Sequence, residues 1–228
     1  MLTIYGVPIS VHTRKVIVAA HFKGLEFELV PVVPVIPDNP PPNWSDLSPS
    51  RRIPALSHDG FTVSDSAAIC AYLERCFPEP PLYPSEAKDY AKVIAMESYA
   101  SEILFGRVVR PLFHETFVRP NIEKQPSDQK VISDALNDQL PVVFGYLDRS
   151  IEGRYLLGSA LSIADLAIVS NLMVFQYMGF ELDGDRFPRL AAHFKTMTTQ
   201  PAVAKALADE RKTAAGMGLK TGFLDKAA

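Results

Sequence analysis

Every strand pattern in this chain lies within its first third, and this restriction most narrows the folds available to it. Short apolar runs at 2–5 (LTIY) and 27–32 (FELVPV) are strand candidates, separated by residues with helical spacing. Two more, within PALSH and FTV, flank Asp59-Gly60, a pair typical of a tight hairpin turn. From Glu86 onward no strand pattern is found, so the sequence predicts an α/β module followed by an all-helical one.

The order strand, helix, strand over about thirty residues indicates a βαβ unit, whose two strands are parallel. The hairpin adds two antiparallel strands, and residues 64–77 (SDSAAICAYLERCF) then have the apolar spacing of a helix. The sequence therefore predicts a mixed four-stranded sheet with helices packed on it.

Two proline-rich stretches divide the chain. Seven prolines lie between Pro31 and Pro49, which predicts an extended surface loop, and four more lie within 77–86. A proline-rich segment of the second kind is typical of an interdomain linker. We therefore expect an α/β domain over 1–78, a linker over 79–85 and an all-helical domain over 86–228.

Three features mark the expected helical domain. Pro111 should kink a helical run over 86–115, and Pro141 should bend or break a later helix that Ser127 can cap. Ser162 and Asp165 are spaced as a capping box. The helix that they begin is apolar nearly all round, so it should be the buried centre of a bundle.

Composition excludes several classes of function. The formal net charge is -3 and no basic tail or block is present, which argues against a nucleic-acid partner. The longest uncharged apolar run, 166–180, is too short to span a bilayer, and the amino-terminal residues lack the pattern of a signal peptide. The five histidines show no metal-ligand spacing. We interpret the only cysteines, Cys70 and Cys76, as buried core thiols, which fits a reducing cytoplasm.

The segment 6–16 (GVPISVHTRKV) places a hydroxyl where the first strand gives way to a helix expected over 13–23. Ser10 can cap that helix. Its hydroxyl and the positive end of the helix can also stabilise a bound anion. Spacing alone leaves both interpretations open.

Four segments together resemble the cytosolic glutathione transferase superfamily. Residues 47–56 (LSPSRRIPAL) resemble its Asn-Pro-x-Gly-x-Val-Pro-x-Leu segment, and 64–73 (SDSAAICAYL) resemble its Glu-Ser-x-Ala-Ile-x-x-Tyr-Leu segment. Residues 162–168 (SIADLAI) resemble the helix-capping signature of its second domain. The segment 6–16 is similar to the serine-bearing start of the phi and theta classes. The resemblance implies a thioredoxin-like domain that binds glutathione and a helical domain that supplies most of an apolar substrate pocket.

The resemblance also implies roles for residues at the first turn. Ser10 would stabilise the glutathione thiolate, and Tyr5 is the alternative, since other classes use a tyrosine at the end of the first strand. Tyr5 is otherwise a strand residue that packs its ring. Arg14, four residues after Ser10, would help to polarise the site or would be a solvated helix residue.

Five residues would bind glutathione by the same resemblance: Arg52, Ile53, Pro54, Asp65 and Ser66. A cis bond before Pro54 would let the backbone of Ile53 pair with the cysteinyl backbone of the ligand. Asp65 and Ser66 would hold the γ-glutamyl end, or would only cap the following helix.

The pocket for the second substrate would be formed by Tyr99, Ile103, Arg107 and Phe113, although each of these also suits the core of a helical bundle. No histidine or lysine lies between Val30 and Ser50, where several classes bind the glycyl carboxylate.

The resemblance implies a homodimeric transferase that adds glutathione to an apolar electrophile, and we expect it to be cytoplasmic. Glutathione would be a co-substrate, and no other cofactor and no metal would be needed. Two alternatives stay open: a glutathione-dependent isomerase or dehalogenase on the same fold, and a non-catalytic binding or interaction module.

Overall fold

The computed structural model describes residues 1–34, 36 and 39–226, and these form a four-stranded sheet followed by a bundle of helices. The surface loop expected over 31–50 includes residues 35, 37 and 38, which lie outside the described residues. Elsewhere that loop contains a single-turn helix that its prolines did not predict.

The sheet is mixed, as predicted. Its strands are β1 (Leu2–Tyr5), β2 (Phe27–Val30), β3 (Ala55–His58) and β4 (Phe61–Ser64), in the spatial order β2-β1-β3-β4. β1 is parallel to β2 and antiparallel to β3, and β3 and β4 form the expected hairpin. Asp59 and Gly60, at its turn, have φ values of 49° and 86°. Positive φ at both positions is what a two-residue hairpin turn requires.

The helices of the first part are α1 (Val11–Phe22), the single turn α2 (Trp44–Leu47) and α3 (Ser66–Cys76). α1 is buried along nearly its whole length because α3 contacts one side of it while helices of the second part cover the other. In α2, Trp44 and Leu47 pack with Val32 and Ala55 in a small separate core. This packing holds α2 against β3.

A helical run continues from residue 87 to residue 121 without a break. It comprises α4 (Ala87–Tyr99), the π-helical Ala100–Val109, α5 (Arg110–Phe113), the π-helical His114–Val118 and α6 (Arg119–Asn121). At Pro111, where the sequence predicts a kink, the winding changes from π-helical to α-helical.

The remaining helices complete the bundle. They are α7 (Gln129–Ser133), the π-helical Asp134–Gln139, α8 (Leu140–Ser150), α9 (Ile163–Tyr177), α10 (Pro188–Thr198) and α11 (Pro201–Gly216), with a short 3-10 segment at Gly222–Lys226. α7 begins after Asp128, not Ser127, because the Asp128 carboxylate accepts from the backbone of Lys130.

The prediction that α9 is the buried centre of the bundle is confirmed. Its side chains are buried on every face, and the Asp165 carboxylate accepts hydrogen bonds from the backbone N–H and the hydroxyl of Ser162. Among the helices in the described ranges, none combines the length and the apolar character needed to cross a membrane.

Two buried ion pairs join α1 to the helical part. Arg14 lies 2.9 Å from Glu210 of α11, and Lys15 lies 2.7 Å from Glu97 of α4. All four side chains are 5% exposed or less. α1 is therefore held by charge as well as by packing, and its amino end is fixed relative to both halves of the molecule.

Candidate functional site

A cavity of about 760 Å³ opens where the two halves of the molecule meet. One wall comes from the amino ends of α1 and α3 and from the segment before β3. The other comes from α4 and the π-helical segment after it. The volume is within the range of small-molecule sites. All five residues that the sequence predicts to bind glutathione line this cavity. They are Arg52, Ile53, Pro54, Asp65 and Ser66.

The Ile53–Pro54 peptide bond is cis, as predicted. The segment before it is held in place because the Ser48 hydroxyl donates to the carbonyl oxygen of Arg52 at 2.7 Å. Among the hydrogen bonds between described residues, none uses the backbone N–H or C=O of Ile53. The cavity therefore has a short length of extended backbone with a free donor and a free acceptor.

The amino end of α3 forms the neighbouring part of the wall. Asp65 precedes this helix with φ of 82°, and its Oδ1 accepts from the backbone N–H groups of Ala67 (2.8 Å) and Ala68 (3.2 Å). Asp65 thus caps α3. Its other carboxylate oxygen has no hydrogen bond to a described residue, and Ser66 beside it is buried in the wall.

Neither residue expected to meet the thiol lines the cavity. Ser10 is the N-cap of α1, and its hydroxyl oxygen accepts a long bond of 3.5 Å from the backbone of Thr13. Tyr5 packs its ring 6.4 Å from that of Trp44 in the small second core. Tyr5 thus has the packing role of an ordinary strand residue, and Ser10 has the role of a helix cap.

His12 is the residue of α1 that lines the cavity, and the sequence reasoning missed it. Its ring meets Phe105 edge-on, with centroids 4.7 Å apart. Burial first, and then the charges of Lys15 and Arg52 against the opposing charge of Asp65, lower the pKa of His12 to about 4. The signal available in the sequence was its position, one residue inside a helix whose cap was already a candidate.

Arg14 does not reach the cavity. Its guanidinium donates to the Glu210 carboxylate, to the carbonyl of Ser170 at 2.8 Å and to the carbonyl of Ile9 at 3.1 Å. The side chain is fully buried, so the interpretation of a solvated residue is wrong. Its contact with Ile9 fixes the turn that carries Ser10.

The four residues expected at the second-substrate pocket lie elsewhere on the helical run. Tyr99 packs against Tyr146 at 4.5 Å, and its pKa is raised by burial and by that neighbour. Phe113 stacks on Phe117, Ile103 packs against the core and Arg107 is exposed.

A different flank of the same helical run faces the cavity, and it is more polar than predicted. Its residues are Ile94, Glu97, Ser98, Ser101, Glu102, Phe105, Gly106 and Arg110. Tyr83 adds a buried hydroxyl that has no hydrogen-bond partner among the described residues.

The two cysteines differ from each other. Cys70 is buried as predicted, and burial raises the pKa of its thiol to about 12. The same prediction is wrong for Cys76, which is exposed because it lies at the solvent side of the last turn of α3. A larger cavity of about 970 Å³ lies near the carboxyl end of α9, away from all of these residues.

Comparison with known proteins gives two family matches. The model described as the amino-terminal domain of glutathione S-transferase matches residues 9–76, and the model of its carboxyl-terminal domain matches residues 113–210. Glutathione S-transferase 1 of Dianthus caryophyllus is 28% identical over 83% of this chain and 83% of its own. Elongation factor 1-gamma 2 of Oryza sativa subsp. japonica is 27% identical over 87% of this chain but only 46% of its own. The crystal structure of a glutathione S-transferase from Rhodospirillum rubrum F11 superposes with a TM-score of 0.82, at 26% identity and over 91% and 92% of the two chains.

Proposed function

This chain belongs to the cytosolic glutathione transferase superfamily, and we propose on that basis that it binds glutathione in the 760 Å³ cavity and transfers it to an electrophile. The observation that carries the proposal is the meeting, in one cavity, of the free backbone of Ile53 and the amino end of α3. These two features match the two ends of a γ-glutamyl-cysteinyl peptide. No other described cavity contains either of them.

Each part of the wall suits one part of glutathione. The N–H and C=O of Ile53 can pair with the cysteinyl backbone as one strand pairs with another. The amino end of α3, with the Ser66 hydroxyl, suits the γ-glutamyl carboxylate because a helix amino terminus favours anions. The free oxygen of Asp65 can accept from the ammonium group, and Arg52 attracts the glycyl carboxylate at the open side.

Activation requires that the thiol lose its proton in the site. A free thiol has a pKa of about 8.5, so only a few per cent is thiolate at neutral pH. Lowering this pKa by about two units takes roughly 2.7 kcal/mol of differential stabilisation. Ser10 can supply part of it, because its oxygen accepts the weak capping bond while its proton remains available to donate. The positive end of α1 adds to this effect.

The cavity wall also bears on the second substrate. Phe105 offers one aromatic surface, whereas Ser98, Ser101 and Glu102 beside it are polar. An electrophile with one apolar face and hydrogen-bonding groups fits this wall better than a wholly apolar compound does.

We also propose a cytoplasmic homodimer, as is typical of the superfamily. Phe61 on β4 and Tyr90 on α4 expose large apolar side chains, and a subunit interface would bury apolar groups of this kind. Both cysteines are free, which fits a reducing compartment.

A second candidate function is a non-catalytic module. The observation that favours it is the match to an elongation factor, a protein not named as a transferase, of which this chain spans less than half. In that case the cavity would hold glutathione, or another ligand, without activating it.

One experiment separates these candidates: calorimetric titration of glutathione into the purified protein, in two buffers of different ionisation heat. We expect binding with release of a large fraction of one proton near neutral pH, since the bound thiol ionises. Binding without proton release would favour the non-catalytic module. No binding at millimolar glutathione would overturn the proposed transferase and would leave only a module that holds another ligand.

A further inference from the structure

The first turn of α1 sends one side chain, His12, into the cavity wall, and the function proposed above gives it no role. The neighbouring side chains of this turn do not face the cavity. Val11 and Thr13 are buried, and Arg14 bonds to Glu210. His12 is therefore the polar side chain that the first turn of α1 places in the cavity wall, two residues after the cap Ser10.

The imidazole of His12 is held in place yet has free nitrogen atoms. Phe105, from the opposite wall, meets the ring edge-on at 4.7 Å. No hydrogen bond joins either ring nitrogen to any residue that the structure describes. By contrast, His58, His114 and His193 each bond to a neighbouring side chain. A fixed ring without a protein partner, in the wall of a cavity, is available to a ligand.

The charge state of His12 follows from its surroundings. Its pKa is lowered to about 4 by burial, with smaller contributions from Lys15 of α1 and Arg52 of the segment before β3, and Asp65 at the start of α3 opposes this shift. Near neutral pH the ring is neutral. It then carries one N–H donor and one acceptor nitrogen.

Basicity decides which of these two groups meets the thiol. Moving a proton from a thiol of pKa about 8.5 to an imidazole of pKa about 4 is unfavourable by a factor of about 3 × 10⁴. His12 is therefore a poor proton acceptor in this site. Donation of its N–H to sulfur needs no proton transfer, and a hydrogen bond to an ionised acceptor is about twice as strong as one to a neutral acceptor.

We propose that His12 is a second catalytic residue of this site, whose neutral imidazole donates a hydrogen bond to the sulfur of bound glutathione and favours the thiolate. The S–H bond breaks, its proton leaves to solvent water, and the electron pair stays on sulfur for attack on the electrophile. Ser10 and His12 then supply two donors from one helical turn. This inference rests on the proposed function, because it takes glutathione as the ligand.

The test compares the pKa of bound glutathione in variants of the full chain, followed by the ultraviolet absorbance of the thiolate. His12→Phe keeps a ring against Phe105 and removes the donor. We expect it to raise the thiol pKa by about one unit and to lower kcat/KM near neutral pH about tenfold, the loss of one charge-assisted hydrogen bond. His12→Asn and His12→Gln place an amide N–H near the two ring nitrogen positions, and we expect one of them to restore most of the shift.

His21→Phe is the matched control, since it makes the same substitution at the other end of α1, where His21 packs against Phe27. It should leave the thiol pKa unchanged. Binding of S-methylglutathione, which has no thiol, should be the same in wild type and His12→Phe. If the wild-type thiol pKa is lowered and His12→Phe leaves it so, the role of His12 is overturned while the transferase stands. If the wild-type thiol keeps its ordinary pKa, the proposed function fails and this inference fails with it.

Discussion

At the scale of single residues, the amino end of α1 divides its side chains between holding the fold and meeting the cavity. Ser10 caps the helix, Arg14 and Lys15 are buried in ion pairs, and His12 lines the cavity. For Ser10 we propose both functions, a helix cap and a donor to the bound thiol. In its long cap bond of 3.5 Å the Ser10 oxygen only accepts, so the hydroxyl proton remains available to donate.

A Ser10→Ala variant should therefore lose activity out of proportion to stability. Loss of an N-cap costs about 1 kcal/mol in the free energy of unfolding, and the long bond places this cap at the low end of the range. Loss of the hydroxyl should raise the pKa of bound glutathione by about one unit and lower kcat/KM accordingly. Urea unfolding measures the first effect, and thiolate absorbance measures the second.

Ser162→Ala provides the comparison, because Ser162 begins α9 far along the chain and does not line the cavity. It should cost stability to a similar or greater extent and leave the thiol pKa unaltered. If glutathione bound to Ser10→Ala keeps the wild-type thiol pKa, Ser10 acts only as a helix cap.

Motifs in the sequence identified the residues of the site whose backbone matters. Pro54 and Ser66 are recognisable because a backbone geometry, a cis bond or a helix start, demands particular residue types over several positions. His12 was not predicted, because a single side chain in a cavity wall does not require particular residue types at the neighbouring positions. The four residues expected at the second-substrate pocket do not line this cavity for a related reason. Which flank of a helix faces a cavity depends on the neighbours that cover its other flanks, as Tyr146 covers Tyr99.

At the scale of elements, the helical part shows a recurrent arrangement at proline. Three π-helical segments end two residues before a proline, at Pro111, Pro120 and Pro141. Proline lacks an N–H and its ring pushes away the carbonyl of the preceding turn. A wider turn relieves that clash, so each helical run continues where the sequence predicts a kink or break.

Glu115 organises the connection between the two long helical runs. Its carboxylate accepts from the backbone N–H of Asp128 at 2.7 Å and from His114, and its own carbonyl accepts from the Ser127 hydroxyl. A Glu115→Gln variant keeps the size of the side chain and removes the charge. We expect faster amide hydrogen exchange over 122–128, with α9 unaffected.

The same carboxylate predicts a pH dependence. The backbone N–H of Asp128, and then His114, lower the pKa of Glu115 from its ordinary value of 4.5. Because the pKa of Glu115 is lower in the folded state, its contribution to stability is complete above the pKa of the unfolded state. That contribution is lost as the pH falls through the pKa of the folded state. Protection of 122–128 in the wild type should therefore fall in acid below the ordinary range of a glutamate. Equal acid sensitivity in Glu115→Gln would show that another group is responsible.

The elements that sequence alone predicts are those with local causes. The parallel pair, the hairpin at Asp59-Gly60 and the capped α9 follow from spacing and turn chemistry. The single turn α2 does not follow from local causes. It depends on the packing of Trp44 and Leu47 against Val32, and only the folded chain brings these residues together.

At the scale of the whole molecule, α1 is the element that both halves share. It contacts α3 on the side of the sheet and α9 and α11 on the side of the bundle. The Arg14–Glu210 pair lies at this junction with no more than 1% of either side chain exposed, and the Tyr177 hydroxyl donates to Glu210 at 2.6 Å. A carboxylate and a guanidinium so buried stabilise the fold only as a pair.

Breaking this pair from either side should therefore destabilise both halves together. Arg14→Met leaves the Glu210 carboxylate buried without its cation, and Glu210→Met leaves Arg14 without its anion. Each should lower the free energy of unfolding by about 3–5 kcal/mol, whereas the double variant should cost clearly less than the sum of the two. Urea unfolding followed by both fluorescence and circular dichroism measures this, and the two signals should change in a single transition.

Lys130→Met is the matched control, since Lys130 forms an exposed pair with Asp134 at 2.6 Å. Solvent screens such a pair, so its loss should change stability by no more than about 0.5 kcal/mol. Additive losses in the double variant would mean that Arg14 and Glu210 act through separate contacts. For Arg14 these are the carbonyls of Ser170 and Ile9. Coupled losses would mean that one charge pair joins the turn carrying Ser10 to the last long helix, so that a change in α11 reaches the site.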